Sequence, residues 1–401
     1  MSYPLSSRLA RFSPSASVAA KARVMELEAS GKKILDFTVG EPDFVTPTHV
    51  IDAACAAGKA GETRYTPTTG TKGLKLAVQR KFREQNGVDY ALNEVVVGSG
   101  AKQLIYTAFT CTVDEGDEVI IPAPYWVSYP DIVKLNGGVP VVVQCPDSQG
   151  FKITPAQLEA AITPRTKWLV LNTPNNPSGA IYSEAELTAI TEVLLRHPHV
   201  WLMTDEIYEH FNYLRQPFAA PALIAPALKE RTLVINGVSK AYAMTGWRIG
   251  YAGAPATLAK AMDKLMSQSI GGAASLSQAA AIEALDAGSH FVAEAAAVFG
   301  ERRDLIMKLL NEVPGLSCLP IEGAFYAYPN CGGLLGKRTP EGGILETDLD
   351  VRNYLLEAAN VAVLDGAAYG LSPYLRLSFA TSTQTIIEGC GRIKEACQAL
   401  V

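Results

Sequence analysis

The chain has 401 residues, 48% hydrophobic and 19% charged, with a formal net charge of −5. That length and apolar content suit a globular protein of two domains with cores of their own and exclude disordered and fibrous classes. The acidic balance gives no clustered basic footprint for nucleic acid or an anionic membrane, which makes a small molecule the expected partner.

Residues 1–15 are rich in Ser and Pro without periodicity, which predicts an arm lying on something else. They lack the uninterrupted apolar stretch of a secretory signal, and no later run approaches the roughly 20 apolar residues of a membrane span, so a cytoplasmic location is expected. Residues 16–30 read as a helix, and ILDFTVGEPDF as a short strand ending at Gly40 and closed by the turn Glu41-Pro42-Asp43. From about residue 47, helical segments alternate with apolar strands at 94–101, 117–124, 139–145, 167–172, 200–205, 232–237 and 248–255. Continuous apolar runs predict strands buried on both faces, hence a mostly parallel seven-stranded α/β sheet. Only about ten residues separate the sixth strand from the seventh, too few for a parallel crossover, so the seventh should run antiparallel. Beyond about 290, helical segments at 293–313, 351–363 and 385–400 surround short strands in GAFYAYP and YLRLSFA. The expected division is an arm (1–15), a smaller α+β domain (16–45 and 290–401) and a large domain (46–289). Seven scattered cysteines without a C-x-x-C pair read as reduced core thiols, not as a disulfide framework or zinc site.

In open α/β sheets ligands bind at the carboxyl ends of the strands. The unusual polar residues fall there. Lys240 follows the sixth strand, with Arg248 eight residues later; Asp205 ends the fifth, and Asn176 follows the fourth. A single strand-end lysine is ordinarily solvated, but three polar groups at three strand ends form a constellation. Ser99-Gly100-Ala101 opens a helix and offers backbone N–H groups to a phosphate, with Arg248 as the cation and Ser239 as a hydroxyl. Trp126 at the same edge could stack on a planar ligand. Together they ask for one flat phosphorylated cofactor, and pyridoxal 5'-phosphate fits. Lys240 supplies the Schiff-base amine and Asp205 the carboxylate that keeps the pyridine nitrogen protonated. Asn176 and Tyr208 serve as donors to the phenolic oxygen, while Ser99, Gly100, Ala101, Ser239 and Arg248 hold the phosphate.

The motifs GEPDF (40–44), RYTPTTG (64–70), SGAKQ (99–103), PYWVSYP (124–130), NTPNNPSG (172–179), DEIYEH (205–210), SKAYAMTGWRIGY (239–251), GAFYAYP (323–329) and YLRLSFATS (374–382) occur in order along the chain. With them the chain resembles the class I, fold type I aminotransferases over essentially its whole length, and most closely the bacterial aspartate aminotransferases of subgroup Ib. The resemblance implies ping-pong transfer of an amino group from L-aspartate to 2-oxoglutarate, with amino acids and 2-oxo acids as partners. Lys240 would move the Cα proton, Trp126 would stack on the cofactor ring, and Arg376 would grip the substrate α-carboxylate with help from Asn176 and the Gly40 backbone. Tyr65 would reach the phosphate of a neighbouring subunit, making the active unit a homodimer with shared sites. Lys102, with Ser15 and Ser17 nearby, would meet the side-chain carboxylate of aspartate in the partner subunit. The small domain and residues 13–45 would close inward over the substrate.

Two departures stand out. Ser13 occupies a position where relatives that accept prephenate tend to carry lysine, and Gly237 one where many relatives place a phosphate-binding serine. Aromatic, alanine or broad-specificity aminotransferases remain alternatives, as do lyases or decarboxylases on the same scaffold. A cofactor-sensing DNA-binding regulator is disfavoured, because the full catalytic set is kept. His210 reads as a packing residue, and the other histidines form no acidic cluster that would suggest a metal site.

Overall fold

Runs of Val, Ile and Leu build the strands, and turn residues divide them. In the computed structural model, which describes residues 5–14, 16–214 and 216–401, the first strand, β1, is only Leu35–Asp36. The expected extension to Gly40 is not made. The Asp36 carboxylate accepts from the Thr38 amide (2.8 Å) and hydroxyl (2.6 Å), and that local side-chain competition takes the backbone off the ladder.

The main sheet follows: β2 (Val95–Gly98), β3 (Glu118–Ala123), β4 (Val139–Gln144), β5 (Thr166–Asn172), β6 (Trp201–Asp205), β7 (Thr232–Gly237) and β8 (Gly250–Gly253). Its order is β2-β8-β7-β6-β5-β3-β4. The strands from β4 to β7 pair in parallel, and β8 runs antiparallel to both of its neighbours. The short β7–β8 connection therefore has the predicted consequence. One strand departs from the reading: β4 is not buried on both faces, and Val139 is 47% exposed. It is an edge strand paired only with β3, and its periphery leaves one face to solvent.

The C-terminal part supplies β9 (Tyr326–Ala327), β10 (Val361–Ala362), β11 (Leu364–Asp365) and β12 (Leu375–Ser378). β10 pairs in parallel with β1, and β11-β12-β9 form a small antiparallel sheet. The helix expected over 351–363 spans Asp348–Ala358. Asn360 adopts a left-handed conformation (φ 52), which ends the helix and releases Val361–Ala362 to pair with β1. The helices Ser289–Asn311 and Thr383–Gln398 cover these strands around a core that includes Phe37, Phe299, Phe325 and Phe379. Residues 16–30 form the predicted helix, Ala16–Ala29. Residues 7–11 of the arm form an exposed 3-10 turn, tied to the body by an Arg11–Glu115 ion pair at 3.3 Å.

Among the cysteines, Cys145, Cys331, Cys390 and Cys397 are buried, whereas Cys55 is exposed and Cys111 and Cys318 are partly so. Cys55 lies on the helix Thr48–Lys59 away from the face buried by Val50, Ala54 and Ala57, which corrects its reading as a core thiol. Among the described residues no helix is long and apolar enough to cross a membrane.

Candidate active site

The order β7-β6-β5 brings three strand ends side by side, with Asn172 opposite Asp205 and Asp205 opposite Ile235. A cavity of about 340 Å³ opens there, lined by Lys240, Asp205, Asn176, Tyr208, Ser239, Arg248, Arg376, Trp126, Ala101, Lys102 and Gly40. These residues come from both ends of the chain and had been singled out from the sequence. Thr38, Tyr129, Asn172, Ile207, Thr245 and Tyr326 also line it.

Lys240 Nζ donates to the Gly40 carbonyl at 2.5 Å. Removal from water pushes its amine down to about 8, and the guanidinium groups of Arg376 and Arg248 act in the same direction against Glu41 and Asp205. A sizeable neutral fraction near pH 8 is what a nucleophile and proton shuttle needs.

Asp205 is buried, accepting from the Tyr129 hydroxyl at 2.7 Å and the Ile207 amide at 3.3 Å. Burial pushes its carboxyl up to about 6, and those two donors hold it from rising further. A carboxyl with a folded pKa above its ordinary value stabilises the folded chain in its protonated form. The stability from this group is complete below pH 4 and is lost as pH rises through 6. The cofactor-free protein should therefore lose about 3 kcal/mol from Asp205 across that window, a loss absent from Asp205→Asn. Urea unfolding of both proteins from pH 4 to 7 checks it, and parallel stability profiles would refute it.

Tyr208 and Tyr326 hold each other by their hydroxyls at 2.9 Å, and burial raises the Tyr208 phenol well above its usual range, so it stays a donor. Arg376 is 3% exposed. It donates to the Thr38 carbonyl at 2.5 Å and to the Asn176 side-chain oxygen at 3.4 Å, packs over the Tyr326 ring at 4.6 Å, and leaves Nε without a hydrogen-bond partner among the described residues.

The turn before the helix Ala101–Thr112 is shaped by Gly100 (φ 91), where an added Cβ would lie 2.6 Å from Arg248 Nη2. Glycine there lets the guanidinium approach a helix N-terminus whose first N–H groups lack intrahelical partners. Gly237, the departure noted above, pairs with Gly250. A Cβ on Gly237 would sit 3.0 Å from the Ile249 carbonyl, so this packing leaves little room for serine.

Several expected residues stand elsewhere. Ser99 and Gly100 form the turn behind the cavity and do not line it; the Ser99 amide donates to Gln103 Oε1 at 3.0 Å. Tyr65 is fully exposed and outside the cavity. Ser15 lies outside the described residues, as does the side chain of Ser17, whose backbone belongs to the first helix. Lys102 was expected to serve the partner's site. It lines the cavity of its own chain, with Nζ 4.9 Å from the centre of the Trp126 ring, because the first helical turn aims it back toward the strand ends. His210 packs against Glu209 and Tyr242 away from the cavity.

Asn172 ends an apolar strand, and Tyr129 and Tyr326 lie in motifs already noted, so all three carry a signal in the sequence. Thr38 contributes a carbonyl, for which the sequence holds no signal.

The family model for class I and II aminotransferases matches residues 32–393. The aspartate aminotransferase of Rhizobium meliloti (strain 1021) is 51% identical over 379 residues, covering 94% of this chain and 92% of its own. The aspartate/prephenate aminotransferase of Cereibacter sphaeroides is 49% identical over 396 residues, 99% of each chain. A crystal structure of aspartate aminotransferase from Rhizobium meliloti matches with a TM-score of 0.98 and 49% identity, covering 100% of both chains.

Proposed function

The chain belongs to the class I and II aminotransferase family, and from that premise we propose that it transfers the amino group of L-aspartate to 2-oxoglutarate, giving oxaloacetate and L-glutamate, with pyridoxal 5'-phosphate as cofactor. The observation that carries this reading is the buried Arg376 guanidinium, hydrogen-bonded among the described residues to neutral groups alone, in a cavity that also presents Lys240 and Asp205. A buried cation calls for an anion, and the α-carboxylate of an amino acid supplies one opposite a reactive amine.

The residues fit the cofactor. The cradle at Gly100 opens onto Arg248, and a cavity of about 340 Å³ lies in the range of small-molecule sites. When bound, pyridoxal phosphate supplies an aldehyde and a ring that accepts the negative charge left at the substrate Cα. Lys240 Nζ would hold the cofactor through its aldehyde and, once the substrate amine takes that place, would move the proton at the substrate Cα. Asp205 holds a proton on the ring nitrogen, with Tyr129 orienting its carboxylate. Tyr208 would donate to the phenolic oxygen, while Asn176 and Arg376 would orient the α-carboxylate. Trp126 covers the ring and excludes water. Ser239, the Ala101 end of the Ser99-Gly100-Ala101 turn and Arg248 would hold the phosphate.

In this reading residues 46–289 bind the cofactor and the smaller domain (16–45 and 290–401) closes over the substrate. The protein works in the cytoplasm as a homodimer, in which the exposed Tyr65 reaches the partner's phosphate. Lys102 receives the distal carboxylate of aspartate in the cavity of its own chain. Its amine is pushed below the usual lysine range by burial and by Arg248, and a second carboxylate would offset both costs. Prephenate as a further substrate is a second reading, favoured by the Cereibacter relative's name and opposed by Ser13.

Mixing the cofactor-loaded protein in single turnovers with L-aspartate, L-glutamate, L-tyrosine and L-alanine tests the assignment. Aspartate and glutamate should convert fastest, and Lys102→Ala should slow them at least about tenfold while sparing alanine, the loss of one charge-assisted contact. Conversion led by tyrosine or alanine would overturn the dicarboxylate assignment, and release of an amine with carbon dioxide, or of free ammonia, would favour a decarboxylase or lyase.

A further inference from the structure

Lys240 and Arg248 must grip opposite ends of one cofactor molecule, so the loop between them has to hold a fixed span. Its backbone is poorly suited to do so alone. Ala243 (φ 51) and Arg248 (φ 58) are both non-glycine residues in the left-handed region, which L side chains adopt at a steric cost. The loop's own backbone hydrogen bonds run from 3.1 to 3.4 Å: Met244 to Ser239 at 3.1 Å, Trp247 to Met244 at 3.2 Å, Tyr242 to Val238 at 3.3 Å and Ala243 to Lys240 at 3.4 Å.

Further support comes from outside, from a strap formed by residues 40–46. The Thr46 hydroxyl donates to the Ala243 carbonyl at 2.7 Å and accepts from the Trp247 indole Nε1 at 3.1 Å. One hydroxyl thus bridges the strained middle of the loop to the residue before Arg248, using both its donor and an acceptor lone pair. Thr245 donates to Glu41 at 2.7 Å. The strap is itself anchored, since Asp43 pairs with Arg302 at 2.7 Å and Phe44 packs edge-on against Phe299 at 5.3 Å. Both anchors lie on the long helix Ser289–Asn311.

We propose that Thr46 is a positioning residue for cofactor capture: its hydroxyl clasps Ala243 to Trp247 and thereby sets the distance between the Lys240 amine and the Arg248 guanidinium. This rests on the pyridoxal phosphate reading above. The clasp acts through Lys240 and Arg248 without touching the cofactor, so its loss should loosen cofactor binding and shift the protonation of the Lys240 adduct. Substrate preference should not change.

The test compares wild type, Thr46→Val and Thr46→Ser in the full chain. It reads the pyridoxal phosphate dissociation constant from the near-ultraviolet band of the lysine-bound cofactor, and the pH midpoint of that band. Valine keeps the shape and removes both hydrogen bonds, and should weaken binding about tenfold, the loss of one to two hydrogen bonds, with a displaced pH midpoint. Serine restores the hydroxyl and should restore both readings. A general loss of packing would lower stability without moving the pH midpoint or being rescued by serine. If Thr46→Val does not fold, Trp247→Phe keeps the ring, removes the indole donor, and should weaken binding in the same direction by a smaller factor. Wild-type affinity and midpoint in the valine variant, or in Trp247→Phe where that variant carries the test, overturn the clasp and leave the cofactor assignment standing. A wild-type protein that develops no such band overturns the cofactor assignment and the clasp together.

Discussion

Replacing Lys240 by alanine should reduce multiple-turnover transamination by at least about 10⁴-fold, since the proposed mechanism uses the residue both as nucleophile and as general base and acid. The amine is pushed down to about 8 mainly by burial, so a substantial part of it is neutral and basic near pH 8. Lys240→Arg makes the control. Arginine keeps a cation in the same place but does not release its proton near neutral pH. If Lys240 served only to neutralise charge in the cavity, arginine would preserve activity; if it moves the Cα proton, both variants should be equally inactive. Steady-state turnover with L-aspartate and 2-oxoglutarate separates the two. A Lys240→Ala enzyme that turns over at a rate comparable to wild type would end the assignment.

Three parts of this site were legible in the sequence in the same way, as polar side chains at or just beyond the ends of apolar strands, where the periodicity breaks. Lys240, Asp205 and Asn176 were found in that way, and the parallel order of β5, β6 and β7 then brings them together. Arg376 was harder. An arginine inside YLRLSFA could be a strand-edge surface charge, and only the resemblance to known aminotransferases assigned it a ligand. Its burial on β12, under Thr38 from the other end of the chain, depends on tertiary packing that no local pattern encodes. The same holds for Thr46, whose partners lie about two hundred residues away.

The misplaced elements have local causes. β4 carries the same valine-rich signal as the central strands, yet its place at the sheet edge leaves it half solvated, because edge and centre differ in neighbours and not in composition. The Asp348–Ala358 helix stops short because Asn360 can take a left-handed conformation, a preference that helical periodicity does not report. Lys102, which the resemblance assigns to a partner's substrate, lines the cavity of its own chain, where the direction of side chains in a first helical turn aims it.

Arg376→Leu should lower kcat/KM for L-aspartate by about 10²–10⁴-fold, the cost of removing one member of a desolvated, charge-assisted pair. The same substitution should leave the cofactor-free protein at least as stable as wild type. In the ligand-free chain the guanidinium is 3% exposed, bonded to the Thr38 carbonyl and the Asn176 side chain, and its Nε has no hydrogen-bond partner among the described residues. A buried cation compensated only by neutral groups is a cost to folding, which leucine removes. Function and stability should therefore move in opposite directions, the signature of a group kept for its ligand. Arg376→Lys should recover little activity, because an ammonium cannot make the two-pronged contact of a guanidinium with a carboxylate. An amine substrate without an α-carboxylate should react equally slowly with wild type and Arg376→Leu, since the contact is missing in both. Urea unfolding beside half-reaction rates checks each of these. Loss of stability in parallel with activity would identify Arg376 as a structural residue and leave the α-carboxylate without its assigned partner.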